Sequence, residues 1–135
     1  MKWFLWILTK VRGALLPTPM TSQEEIEEEQ RQWRELFDRW KTDRKRVIGF
    51  GAAAKATVFL GWIGVGPDAM ECVLDSTPGK IGKYIPGVGV EICSPDWLTG
   101  QKPDICVILA PNYKNELMAQ VPEGIEVWCD LERIR

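Results

Sequence analysis

The chain has 135 residues, 45% of them apolar, with a formal net charge of −2 and no histidine. That is enough for one packed domain and too little for two, and the apolar content argues against wholesale disorder. The slight negative charge argues against a nucleic-acid binder held by phosphate contacts, and the missing histidine removes the commonest general base and metal ligand.

The first segment, Trp3-Phe4-Leu5-Trp6-Ile7-Leu8, is a six-residue apolar run cut short by Lys10 and Arg12. It is too short to cross a membrane and lacks the small-residue cleavage site of a signal peptide. Its basic residues leave contact with a membrane surface open; packing against a partner, a second copy or its own domain is favoured. Pro17-Thr18-Pro19 separates this arm, residues 1–20, from an α/β body over residues 21–135. Met1 stands just ahead of the arm, so a free-standing gene product is expected.

A lead-in helix is predicted at about residues 22–42. Ser22 and Glu25 form a capping box, and acids crowd the helix start where the macrodipole favours them. Ile26, Trp33, Phe37 and Trp40 recur at helical spacing, a stripe that needs a partner surface such as the sheet of the body. Val47-Ile48-Gly49-Phe50 then reads as a buried strand, and 52–63 as a helix. A second strand spans 70–74 and ends at Asp75. A Gly/Pro/Lys-rich loop fills 77–89, with a brief strand at about 90–93. Ser94-Pro95 opens a helical turn. Residues 104–110 form the most apolar strand, 113–120 a helix and 125–129 the last strand. Strands of unbroken apolar character alternating with helices predict a single Rossmann-like domain: a mainly parallel sheet flanked by helices, with an N-terminal helical arm.

Cys72, Cys93, Cys106 and Cys129 all lie in or beside apolar runs, never as C-x-x-C. They read as small buried hydrophobes in a reducing, cytoplasmic setting, with no metal site.

Four places suit a ligand. Gly49-Phe50-Gly51-Ala52-Ala53-Ala54-Lys55 fits G-x-G-x-x-A between strand and helix. Gly49 would permit a tight turn and Gly51 a close backbone approach. Ala53 is small enough for close packing, the helix N-terminus would face an anion, and Lys55 would add a charge. Asp75, at the tip of the second strand, is placed to accept from ribose hydroxyls or merely to cap a loop. The loop that follows, with Ser76, Thr77, Lys80, Lys83 and Tyr84, brings two cations toward the same region. Asn112 and Tyr113, past the fourth strand, would touch a ligand from across the crevice, or Asn112 would only cap the next helix. No catalytic residue emerges, since no nucleophile pairs with a base.

Three runs, V-I-G-F-G-A-A-A-K at 47–55, V-L-D-S-T-P-G-K-I-G-K-Y-I-P-G at 73–87 and K-P-D-I-C-V-I-L-A-P-N-Y-K-N-E-L at 102–117, resemble the C-terminal domain of sugar C-methyltransferases. The resemblance covers about residues 30–130, in the same order and spacing. Whole enzymes of that family carry a zinc-binding N-terminal domain, a central S-adenosylmethionine domain bearing the catalytic residues, and this domain last. The resemblance implies a part in binding the nucleotide-sugar substrate. The D-x-x-P-x-K-x-G segment is similar, more distantly, to nucleotide-sugar-binding domains of sugar acyltransferases. Pro111 departs from the aromatic residue that usually precedes Asn112 in the family. Together these features predict a nucleotide-sugar-binding module acting as an accessory or sequestering protein, with a separate methyltransferase subunit as a candidate partner. A component of an S-adenosylmethionine-dependent methyltransferase, or an interaction scaffold with a vestigial nucleotide site, is the alternative.

Overall fold

The computed structural model describes residues 23–135. The arm and Ser22 of the capping box lie outside the described residues.

Helix α1 (Gln23–Thr42) carries Glu24 and Glu25 in its first turn and Arg39 and Lys41 in its last, both favoured by the helix dipole. Its buried stripe contains the four predicted residues together with Leu36 and Glu29. Strand β1 (Val47–Phe50) follows, then α2 (Ala54–Ile63), β2 (Cys72–Leu74), β3 (Glu91–Cys93), a 3-10 turn (Pro95–Leu98) and β4 (Ile105–Ile108). A second 3-10 turn (Pro111–Tyr113) leads into the short α3 (Lys114–Ala119), and β5 (Glu126–Cys129) and β6 (Glu132–Arg133) close the chain. Ser94 caps the first turn by accepting from the Asp96 amide at 3.2 Å, with Pro95 at its start.

The six strands form one sheet in the order β3-β2-β1-β4-β5-β6. All neighbours are parallel except the last pair, where Trp128 faces Arg133 and Cys129 faces Glu132 in antiparallel register. This is the predicted Rossmann-like α/β architecture. The chain moves outward from β1 in one direction through β2 and β3, then returns to β4 on its other side, so the order reverses between β1 and β4.

All four residues of β1, and all four of β4, are buried, because helices cover both sheet faces. On one face Val47, Val73, Ile105 and Val107 pack with α1 and α2; on the other Ile48, Phe50, Leu74, Cys106 and Ile108 pack with the turn at 95–98 and α3. The aromatic stripe of α1 meets helix as much as sheet. Trp33 stacks edge-on to Phe59 of α2 at 5.1 Å, and Trp40 edge-on to Trp128 of β5 at 5.5 Å. Burying a ring the size of Phe59 contributes about 1.5–3 kcal/mol, so these contacts are strong anchors for α1. Polar ties complete the docking: Gln30 donates to the Trp62 carbonyl at 2.6 Å and Arg34 to the Ile63 carbonyl at 3.2 Å, both at the end of α2.

Two sequence expectations change. The helix predicted over 52–63 starts two residues later, at Ala54, and ends at Ile63 as expected. The loop at 77–89 is fastened to β3: Gly82 donates to the Ile92 carbonyl, Ile92 to that of Lys83 and Ile85 to that of Val90, each at 2.8 Å. These bonds cover the β3 edge, which would otherwise present unpaired backbone groups.

Candidate functional site

A cleft of about 460 Å³ opens at the carboxyl ends of β1 and β4, where the strand order reverses. Open α/β sheets place ligand sites at this point because the loops leaving neighbouring strands diverge there. One wall is built by Phe50, Gly51 and Ala53 after β1 and by Asp75, Ser76, Thr77 and Lys80 after β2. The other is built by Ala110, Tyr113, Glu116, Leu117 and Gln120 after β4.

Gly51 has φ of +105°, and its amide donates to the Leu74 carbonyl at 2.8 Å. A Cβ there would stand 2.8 Å from the Cβ of Ala110, so the glycine is needed by the chain's own packing as well as for any ligand. Replacing it therefore changes stability and not binding alone. Gly49 holds no turn. It lies inside β1, paired with Val73 and Val107, and a Cβ there would meet Leu109 at 2.6 Å.

The next residue after Gly51, Ala52, ties the two loops of this wall together. Its amide donates to Asp75 Oδ2 at 2.8 Å, and its carbonyl accepts from Lys80 Nζ at 3.0 Å. Asp75 Oδ1 accepts from the Thr77 amide at 2.8 Å. Partial burial pushes the Asp75 carboxyl up, but hydrogen bonds from Thr77 and Ala52 and the nearby Lys80 charge outweigh it and hold the group below the ordinary aspartate value. Asp75 is thus an ionised staple. Each oxygen keeps further lone pairs for a ligand hydroxyl.

Ala53 precedes α2 and supplies no side-chain cap, and the first turn of α2 contains no acid. The positive end of a ten-residue helix therefore opens beside the cleft without a compensating carboxylate in that turn. Lys55, in the same turn, is half-buried and does not line the cleft.

Of the remaining predicted residues, Tyr113 lines the cleft with 61% of its surface exposed. Lys83 and Tyr84 do not line it: they belong to the segment fastened along β3, where Tyr84 bridges Glu91. Asn112, the middle residue of its 3-10 turn, is neither a helix cap nor part of the lining. Glu116, Leu117 and Gln120 went unread in the sequence. Their signal is the spacing of 113, 116, 117 and 120, one face of a helix once the turn at Pro111 is known.

The four cysteines are unpaired, and none lines the cleft. Burial pushes the Cys106 and Cys129 thiols up to about 12 and raises Cys72 and Cys93 as well. Among the described residues no three His, Cys, Asp or Glu side chains gather to hold a metal, and no helix is long and apolar enough to cross a membrane.

The profile of the family described as the C-methyltransferase C-terminal domain matches residues 19–128. The C-methyltransferase NovU of Streptomyces niveus is 36% identical over 95 residues, covering 70% of this chain and 23% of that protein. The chain thus spans about a quarter of the length of this relative.

Proposed function

The chain belongs to the C-methyltransferase C-terminal domain family, and from that membership we propose that it is a binding module for a nucleotide-linked sugar, with no catalysis of its own. The observation that carries this reading is the start of α2, whose N-cap has no side-chain cap and whose first turn has no acid, beside a cleft that holds the Lys80 ammonium next to the Asp75 carboxylate. Backbone amides and a lysine together suit a diphosphate, which carries negative charge on oxygens spread over both phosphates. Gly51 and Ala53 leave the backbone unobstructed there, and Asp75 and Lys80 hold the loop in place through Ala52.

The chemistry of the lining supports binding rather than turnover. Its titratable side chains are Asp75, Lys80, Tyr113 and Glu116, and Asp75 already accepts from two amides. No nucleophile sits against a base in this set, and the thiols lie elsewhere, raised above their ordinary values. The module would present its ligand to a methyltransferase domain or subunit that supplies the methyl donor, or would sequester the ligand. Four unpaired thiols fit a reducing compartment such as the cytoplasm.

A thermal-shift screen tests this directly, since a ligand that binds only the folded state raises the melting temperature. Nucleotide sugars should raise it, and nicotinamide dinucleotides and S-adenosylmethionine should not. A shift with S-adenosylmethionine alone would assign the cleft to the methyl donor and overturn the proposal.

A further inference from the structure

The two walls of the cleft differ in charge. On the β1–β2 side the Asp75 carboxylate is bonded to the Ala52 and Thr77 amides and balanced by Lys80 beside the positive end of α2. The α3 side carries the Glu116 carboxylate beside Gln120 and the Tyr113 ring, with no cation among its lining residues. A carboxylate repels phosphate but accepts strongly from neutral hydroxyls, and its two oxygens match a vicinal diol. An exposed aromatic ring beside it offers an apolar face to a sugar or base.

We propose that Glu116 sets the direction of the ligand, accepting hydroxyl hydrogen bonds from its diol-bearing end while the diphosphate lies toward Lys80. The inference rests on the nucleotide-sugar reading of the cleft and adds an orientation and a specificity residue to it. Glu116 is a binding group with no part in bond making. The diol comes either from the ribose or from the hexose, and both present the same donors.

The test is titration calorimetry of the full chain and its Glu116→Gln variant with three probes. These are inorganic pyrophosphate, a ribonucleoside diphosphate, and a 2′-deoxynucleoside diphosphate hexose, whose only vicinal diol is on the sugar. Glu116 is exposed at the surface of a short helix, so the isosteric change leaves folding intact. The variant should bind at least one diol-bearing probe about tenfold more weakly, the loss expected for a hydrogen bond to a charged acceptor. It should bind pyrophosphate as tightly as the wild type or slightly more tightly, because a like charge has gone. The diol probe that weakens identifies ribose or hexose as the group read. Unchanged affinity for both diol probes overturns the inference and leaves the nucleotide site standing. Uniform weakening that includes pyrophosphate also overturns it, by making Glu116 a support of the wall. A wild-type chain that binds none of the probes overturns the site reading together with the inference.

Discussion

A Cβ placed on Gly51 would stand 2.8 Å from the Cβ of Ala110, joining the ends of β1 and β4 at the mouth of the cleft. The same residue holds φ of +105°, where side chains other than glycine's are strained. Gly51→Ala should therefore cost about 2–3 kcal/mol, the sum of backbone strain and overpacking. Gly61 is the control. It lies in α2, and a Cβ added there would meet nothing within 4 Å, so Gly61→Ala should gain about 0.5–1 kcal/mol from helix propensity. Denaturant unfolding of both variants checks the opposite signs.

The carboxylate of Asp75 joins Ala52 and Thr77 through two bonds of 2.8 Å. An Asp75→Asn variant keeps the shape but turns a donor toward one of those amides. It should lose about 1–3 kcal/mol at neutral pH, the range for hydrogen bonds to a charged group. The pH dependence has a definite sign. The folded-state value lies below the 3.8 of a free aspartate, so this stability is fully present above about pH 4 and is lost as the pH falls through the depressed folded value. The Asn variant should lack this part of the acid limb. Identical acid limbs in the two proteins would mean that Asp75 is not held ionised by these bonds.

The strands that form the cleft were legible because β1 and β4 are buried on both faces and so appear as continuous apolar runs. Strand β6 had no such mark: Glu132 and Arg133 are exposed, and only pairing with β5 makes them a strand. The glycine motif marked the loop that lines the cleft but put Gly49 in a tight turn, because G-x-G spacing does not reveal which glycine lies inside the strand. Half of the cleft escaped notice for a different reason. A helix over 113–120 is legible, but no residue of α3 is buried, so its apolar pattern did not mark the face carrying Glu116 and Leu117 as the one turned to the cleft. Lys83 and Tyr84 looked like cleft residues only because backbone pairing to β3 leaves no trace in side-chain pattern.

The thiols give an alkaline counterpart to Asp75. Burial holds Cys106 and Cys129 protonated up to about pH 12, whereas an unfolded thiol ionises near 9. Stability from keeping these groups neutral is complete below about pH 9 and is lost as the pH rises toward 12. Cys106→Ala should lower stability at neutral pH by about 1 kcal/mol through the small cavity it leaves, yet flatten the loss between about pH 9 and 12. Labelling by a thiol reagent at neutral pH should reach half-buried Cys93 first and the three buried thiols only on unfolding. Mass spectrometry of the labelled chain reads this order, and equal rates at all four sites would contradict the packing described.

Arg135 fastens the wall that carries Glu116. Its guanidinium donates to the carbonyls of Met118, Val121 and Pro122 at 3.2, 2.8 and 2.7 Å, at and just beyond the end of α3. Helix ends leave carbonyls without partners, and a cation there also complements the dipole. A six-residue helix has little stability of its own, so this cap bears more weight than it would on a long one. Arg135→Ala should lower stability by about 1–3 kcal/mol and speed hydrogen exchange of the α3 amides, while β1 and β4 keep their protection. Arg135→Lys should recover only part of the loss, because a single ammonium cannot reproduce the planar fork that spans three acceptors. If α3 exchange stays slow in the alanine variant, the packing of Leu117 and Met118 against Ile108 and Val121 holds the wall instead, and ligand affinity should then be indifferent to Arg135.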